Sequence, residues 1–441
     1  LFLDLFLYGL IVPVLPFILR DRLHLSQDQL QNAASLLLAS HAIATFFSAP
    51  LIGLSIDGSM SRKQGFLFGL LVTLGATILL CFGDTILLLV VARLLQGASA
   101  AIVWVVGLAI VTDTVEKNHL GKALGAVYSV TTFGALVSPT IGGLVYTKYG
   151  YYPVYILAGT LLSIDIILRL CVIDKEQANF YYESLAIKRP SSTLQSHERL
   201  SFINSQTNTH QDIEEALENV EDNSRPKSSL PSASPSLRFP LLAILSDSRL
   251  LAATFLTFTH ACFVGMFNAT LPIHVEQVFG MTSLESGLLF IAIELPYIVC
   301  GPAIGWYVDH AGPRGPASMG AILLVPSLFA LRFPTVIEDI PLLIVLLALN
   351  GVGLSATSSS AFIQANKIGR ERHLKDPILF GKKGPYGQLY ALNNVLYSLG
   401  MTLGPLWAGT LTDNFGYGNS MAVMSFHALL AAISSRIWME K

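Results

Sequence analysis

The chain has 441 residues, of which 52% are hydrophobic and only 13% charged, with a net charge of −2. A mean hydropathy of +0.58 is more apolar than a soluble fold of this length can bury, so the composition excludes a soluble globular protein and points to a membrane. The near-neutral balance, with no basic patch interleaved with aromatics, excludes nucleic acid as a partner.

Apolar runs of spanning length recur at about 1–19, 31–56, 65–82, 86–112, 122–146 and 152–173, and again at about 248–274, 284–308, 315–333, 340–363, 386–411 and 420–438. They predict an all-α membrane protein of twelve transmembrane helices in two groups of six. The expected division is residues 1–173 as a first six-helix bundle, 174–246 as a flexible linker and 247–441 as a second bundle. The linker is rich in Ser, Asn, Gln and Glu and cannot bury enough apolar surface to fold alone; a short amphipathic helix is expected around Ile213–Val220. Because the sequence opens at Leu1 inside an apolar run, an N-terminal tail is expected to precede it. Lys/Arg placement orients the chain. Arg62, Lys63, Lys117, Lys122, Arg314 and the cluster from Lys367 to Lys383 share one side, and Arg20, Arg22, Lys148 and Arg332 the other. The first side, with both termini and the linker, is expected to be cytoplasmic.

The fifth run, Gly121–Gly150, has no charge between Lys122 and Lys148. Its Gly125, Gly134, Ser138, Pro139, Gly142 and Gly143 follow the order G-x8-G-x3-S-P-x2-G-G. So many small residues let a second backbone approach closely, and the proline bends the helix. The halves echo each other. Gly53, Asp57, Arg62 and Lys63 at the helix 2–3 junction have counterparts in Gly305, Asp309, Gly312 and Arg314 at the helix 8–9 junction. Gly400, Gly404, Pro405 and Gly409 in the eleventh run repeat the small-residue and proline spacing. Two related six-helix halves are the sequence sign of a rocking transporter with its site between them.

Ionisable groups inside spans are costly and mark cavities or pairs. Arg93 is either a fixed positive charge near a cavity or an anchor snorkelling to the interface. Asp4 is a proton-exchanging or substrate-facing carboxylate, or an interfacial acid. Glu294, with no charged neighbour for many residues and Pro296 after it, can trade a proton against substrate or bond across helices. His41 lies near the middle of helix 2 as a titrating group or a packing residue. Asn268, Asn393 and Asn394 offer donors and acceptors to a ligand or to neighbouring helices. Trp104, Tyr128, Tyr297, Phe267 and Tyr390 are candidates for an aromatic-lined pocket. Asp57, Arg62 and Asp113 at one end of helices 2 to 4 suit a charge latch. Cys81, Cys171, Cys262 and Cys300 fall in apolar runs without metal-ligand spacing and read as buried free thiols. No nucleophile–base set, metal cluster or phosphate loop is recognisable, so neither an enzyme, a metal nor a cofactor is expected.

Together the loop motif at Gly53–Lys63, R93-LL-Q96-G97 and the fifth-helix pattern resemble the major facilitator superfamily, and within it the twelve-helix drug:proton antiporter group. The segments at Leu3–Pro16, Leu36–His41, Leu271–Pro272 and Tyr386–Asn394 resemble the vesicular amine transporter branch, with a long central loop of fungal type. The resemblance implies a monomeric, multi-pass, proton-coupled antiporter in the plasma or vacuolar membrane. It would move drugs or metabolites across the lipid bilayer and have Gly125, Gly134, Pro139 and Gly143 as conformational elements. It departs from that branch at four points. The branch's acids in helices 7 and 11 are Asn268 and Asn394 here, its helix 2 lysine is His41, and its helix 10 acid is the neutral run Thr357–Ser360. Asp4 alone matches an acid of the branch, which implies a weaker preference for cations. Ser138 replaces the usual glycine before proline, so its hydroxyl is expected to bond back to the helix or to hold the halves apart.

Overall fold

A computed structural model describes residues 1–55, 62–115, 120–171, 247–376 and 386–439. Within these, the side chains of residues 53–55, 62, 112–113, 120–122, 124–125, 386–388 and 390 are not described. Among the described residues the helices fall into two sets of six, of which nine, or ten with the bent first pair, are long and apolar enough to cross a membrane. The first is α1 (Phe2–Ile11) plus α2 (Leu15–Asp21), followed by α3 (Gln27–Ser55), α4 (Arg62–Phe82), α5 (Ile86–Thr114), α6 (Leu120–Tyr149) and α7 (Tyr151–Cys171). The second set is α8 (Ser248–Phe279), α9 (Ser283–Ala311), α10 (Arg314–Ala330), α11 (Ile340–Lys375), α12 (Tyr386–Phe415) and α13 (Tyr417–Trp438). The described residues of Leu1–Cys171 and of Phe239–Lys441 form one compact unit.

Two boundaries and the burial of two cysteines depart from the expected ones. The first span is not continuous: α1 and α2 meet at 47°, where Pro13 withholds an amide and Pro16 restarts the chain as a helix. The cluster Lys367–Lys375 is not a loop, because α11 runs on to Lys375 and carries these cations as its own last turns. Cys171 is exposed and Cys300 half-buried, while Cys81 and Cys262 are buried; all four are free thiols. The helix expected near Ile213–Val220 lies outside the described residues.

Small residues decide how the helices pack. On α6, Gly134, Ser138 and Gly142 recur every four residues and face α1. A Cβ on Gly134 would strike Phe2, one on Gly142 the Leu10 carbonyl, and one on Gly9 the Ser138 hydroxyl. Ser138 is fully buried in this contact. It therefore sits inside the first half and does not hold the halves apart; its hydroxyl lies 3.4 Å from the Ala135 carbonyl, back along its own helix. One residue further round, Pro139 and Gly143 face α9: Gly143 abuts Ser283, and Gly287 abuts the Pro139 carbonyl. The second half repeats the device. Gly400 and Gly404 press on Phe258, Ala261 and Cys262 of α8, and Gly409 presses across the halves on Ser35 of α3.

Polar bonds between the halves gather at the end opposite the linker. Arg20 pairs with Glu276, Gln277 donates to Gln27 at 3.0 Å, and Thr147 bonds Ser283 at 3.0 Å. At the linker end, Asp247 caps α8 and gathers Arg249 (3.0 Å) and Arg372 (3.2 Å) from α11. Hydrogen bonds from the Arg249 side chain hold this carboxylate below its ordinary value of 3.8.

Two outcomes follow. Gly142→Val lowers the thermal midpoint in detergent, an overpacking cost of about 1–3 kcal/mol. Gly75→Ala, which meets nothing within 4 Å, leaves it equal or higher. Asp247→Asn costs on the order of 1 kcal/mol near neutral pH. A lowered acid stabilises fully above its unfolded value and loses that contribution as pH falls through the folded one. Variant and parent melting curves therefore converge below pH 3.8.

Candidate functional site

Arg93 stands two turns into α5 and is 1% exposed, so it does not snorkel to the interface. Its Nη1 donates to Gln96 Oε1 at 3.1 Å, and Gln96 Nε2 donates to the Thr77 hydroxyl at 3.3 Å. The R-x2-Q-G spacing has a local reason. Arg93 and Gln96 share a face one turn apart, and Gly97 lets α3 approach until the His41 carbonyl lies against it. Arg93 Nη2 has no hydrogen-bond partner among the described residues. Beside it is a cavity of about 10 Å³ lined by Asp4, Leu7, Tyr8, His41, Thr73 and Gln96, room for roughly one water molecule. Asp4 is held by Trp104, whose Nε1 donates to it at 2.8 Å. His41 meets the Tyr8 ring edge-on, 5.2 Å between centroids.

The second half presents its own cluster. Glu294 of α9 is half-buried, has no hydrogen bond or ion pair with a described residue, and lies within electrostatic reach of Tyr297 and Tyr397. Tyr297 is fixed by its hydroxyl against Ser358 (3.0 Å) and by its carbonyl, which accepts from Ser355 at 2.9 Å. His260 of α8 stacks on Tyr297 at 5.6 Å and lies 6.3 Å from Tyr397. The two clusters meet at Tyr8, which faces Asn268 and Tyr397 across the halves. Ala42, Ala261 and Met401 seal the contact with apolar surface.

Of the residues singled out in the sequence, Asp4, His41 and Arg93 come together around one void; Asn268 faces Tyr8 from the other half, and Glu294 lies in the second cluster beside Tyr297 and Tyr397. Asn393 is engaged by the Thr257 hydroxyl at 2.8 Å, while Asn394 is half-buried. Trp104 and Tyr128 approach to 6.3 Å. Phe267 is 2% exposed and belongs to the core, not to a pocket. Arg314 bonds the Arg436 carbonyl at 2.8 Å and so caps the end of α13; Asp309 is exposed. Asp57 lies outside the described residues, as do the side chains of Gly53, Arg62, Asp113, Gly125 and Tyr390. Tyr8, His260 and Tyr397 were not anticipated, and Gln96 entered only as part of the R93-LL-Q96-G97 motif. Tyr8 falls one helical turn after Asp4, and Gln96 one turn after Arg93. That spacing was the available signal for both, whereas His260 and Tyr397 carry no local signal.

The Major Facilitator Superfamily model matches residues 1–375. An uncharacterised MFS-type transporter of Schizosaccharomyces pombe is 36% identical over 98% of this chain and 92% of its own length. MFS-type transporter ppzB of Metarhizium majus is 37% identical over 98% and 95%. A probable vesicular acetylcholine transporter of Danio rerio is 33% identical over 39% of this chain and 36% of its own. Among solved structures, a bacterial homologue of the human lysosomal transporter Spinster, described as inward-facing, covers 99% of this chain and 95% of its own. It has a TM-score of 0.69 and 12% identity, a likeness of fold.

Arg93→Met removes the cost of burying the charge but leaves Gln96 Oε1 without its donor, a loss of about 1–3 kcal/mol. The thermal midpoint therefore stays equal or falls modestly while the charge beside Tyr8 and His41 is removed. A loss of solute flux at least about tenfold, 1.4 kcal/mol, in a variant with unchanged melting assigns Arg93 to function.

Proposed function

Because this chain belongs to the Major Facilitator Superfamily, whose members in these comparisons are membrane transporters, we propose that it is a proton-coupled antiporter. It exports small, largely apolar or amphipathic organic molecules by alternating access. The observation that carries the coupling is Glu294: a carboxyl in a membrane span, unpaired among the described residues and set among Tyr297, Tyr397 and His260. An unpaired carboxylate there is costly. The group is relieved by taking a proton or a polar substrate in its place, and an antiporter needs that exclusive choice. Arg93 supplies a fixed positive charge across the Tyr8 contact that disfavours a second cation in the same space.

With the linker end read as cytoplasmic from its Lys/Arg placement, the bonds at Arg20–Glu276, Gln27–Gln277 and Thr147–Ser283 join the halves at the outer end, which supports an inward-facing reading. In the resembling family, Asp57, Arg62 and Asp113 would latch the opposite, outward-facing state. Loading of amines into an internal acidic compartment is the second reading, favoured by Asp4 and by the partial similarity to vesicular acetylcholine transporters. Asn268 and Asn394 weigh against strong cation selectivity. A sensor without transport would have no use for an unpaired acid and a buried arginine in its spans.

In proteoliposomes with an imposed pH gradient, Glu294→Gln abolishes gradient-driven exchange of an exported dye and leaves facilitated exchange without a gradient within about twofold. Intact pH-driven exchange in this variant, or selective carriage of monoamines by the parent, overturns the reading. An efflux screen in a pump-deficient cell, with and without a protonophore, tests direction and substrate class together.

A further inference from the structure

The last span, α13, carries none of the residues gathered around Arg93 or Glu294, yet a histidine stands in its middle. His427 is 6% exposed, and its Nε2 is hydrogen-bonded to the Thr259 hydroxyl of α8 at 3.1 Å. Four rings surround the imidazole edge-on. Phe255 (5.6 Å between centroids), Phe258 (6.1 Å) and Phe263 (5.6 Å) come from α8, and Trp407 (5.6 Å) from α12. Phe255, Phe258, Thr259 and Phe263 recur at i, i+3, i+4 and i+8, a single stripe of α8 closed around one side chain. A phenyl ring would fill such a cage without taking polar nitrogens out of water. The imidazole is there for its bond.

Thr259 is next in sequence to His260, whose ring stacks on Tyr297 at 5.6 Å and lies 6.3 Å from Tyr397. Neighbouring residues project about 100° apart on a helix, so whatever holds Thr259 sets the direction of His260. A second directional hold on α8 is the Thr257 hydroxyl, which donates to Asn393 of α12 at 2.8 Å. Thr257 and Thr259 lie about 200° apart around the axis, so the two bonds grip α8 from opposite sides. Together they fix its rotation. The contacts at Gly400 and Gly404 set how closely α12 approaches, but smooth surfaces do not stop a helix from turning. Side chains reach about 6 Å from the axis, so a turn of about 10° moves the His260 ring by about 1 Å. A displacement of that size in a functional group can cost about a hundredfold in rate.

We propose that His427 is a positioning residue for the Glu294 cluster: its bond to Thr259, seated in the aromatic cage, fixes the rotation of α8 and so aims the His260 ring at Tyr297. His427 acts through α8 and not by meeting the solute. A span outside the candidate site thereby sets the geometry within it. The functional consequence rests on the reading of Glu294, Tyr297, Tyr397 and His260 as the coupling site; the aiming of His260 does not.

Two substitutions separate the bond from the packing. His427→Phe keeps a ring in the cage and removes the bond, while His427→Gln carries an amide to the place of Nε2. In proteoliposomes, His427→Phe lowers gradient-driven exchange at least about tenfold with an unchanged or higher thermal midpoint. His427→Gln recovers exchange to within about threefold of the parent. Thr259→Val has the effect of His427→Phe, and the double variant is no slower than either, because all three remove one interaction. With isotopically labelled histidine, the ring resonance of His260, assigned by its loss in His260→Gln, shifts in His427→Phe and keeps its place in His427→Gln. Exchange as fast in His427→Phe as in the parent, equal loss in His427→Gln, or a His260 resonance indifferent to His427→Phe overturns the proposal. A parent without gradient-driven exchange overturns the antiporter reading instead, and the His260 resonance then decides the positioning by itself.

Discussion

Backbone-on-backbone contact is the constraint from which the architecture follows. Lipid tails are as apolar as leucine, so helices gain little from meeting unless they approach closely enough for dense van der Waals contact. Gly142 against the Leu10 carbonyl and Gly404 against the Cys262 carbonyl provide such contact within each half. Gly143 against Ser283 and Gly409 against Ser35 provide it between halves. Residues 142 and 143 are neighbours in sequence yet face different helices, about 100° apart on a helical wheel. One helix thus belongs rigidly to its own bundle while offering the adjacent stripe to the other, and α12 does the same by repetition. A side chain added to either stripe would act on a different process: assembly in the first case, relative movement of the halves in the second.

Such close packing leaves little room for water, and this sets the energetics of the centre. Around Arg93 the space is about 10 Å³, so the guanidinium depends on Gln96 and on whatever polar group occupies the void. The first half answers its acid internally, Asp4 being bonded to Trp104. The second half gives Glu294 no such partner among the described residues. This asymmetry distinguishes two otherwise repeated bundles. The repeat supplies the scaffold, and the departures from it supply the chemistry.

Much of the helical order was legible in the sequence because span length and small-residue spacing are local properties. The pairing of Gly134, Pro139 and Gly143 into a packing helix belongs to that class, as does the placement of Arg93 with Gln96. The facing of Ser138 was not legible: a stripe of small residues says that something approaches, and only the tertiary arrangement says that α1 meets Ser138 while α9 meets Gly143. Phe267 illustrates a second limit, since an aromatic residue on an apolar span looks the same whether it lines a pocket or fills the core. Tyr397 and His260 join Glu294 from helices distant in sequence, so no spacing rule brings them together. The break after Ile11 and the extension of α11 to Lys375 show the reverse case. There, local composition suggested a continuous first span and a basic loop, and proline chemistry and helix propagation decided otherwise.

Closure at the end opposite the linker combines unlike forces. Solvent-exposed charge pairs and single hydrogen bonds each contribute little, about 0–1 kcal/mol. Arg20 is 38% exposed in its pair with Glu276, whose own side chain is only 9% exposed, and the Gln27–Gln277 bond is exposed. The closed state therefore rests on the stripes at Gly143–Ser283 and Gly409–Ser35 as well, where contact is dense and uncharged and is joined by neutral hydrogen bonds such as Ser283 to the Gly143 carbonyl at 3.1 Å and Thr140 to the Gly287 carbonyl at 3.3 Å. A conformational equilibrium with a gap of a few kcal/mol is one that a single differential interaction can reverse. Glycine at these positions serves both requirements, since it permits the approach that closes the end and adds no interlocking side chain that would have to be withdrawn to open it.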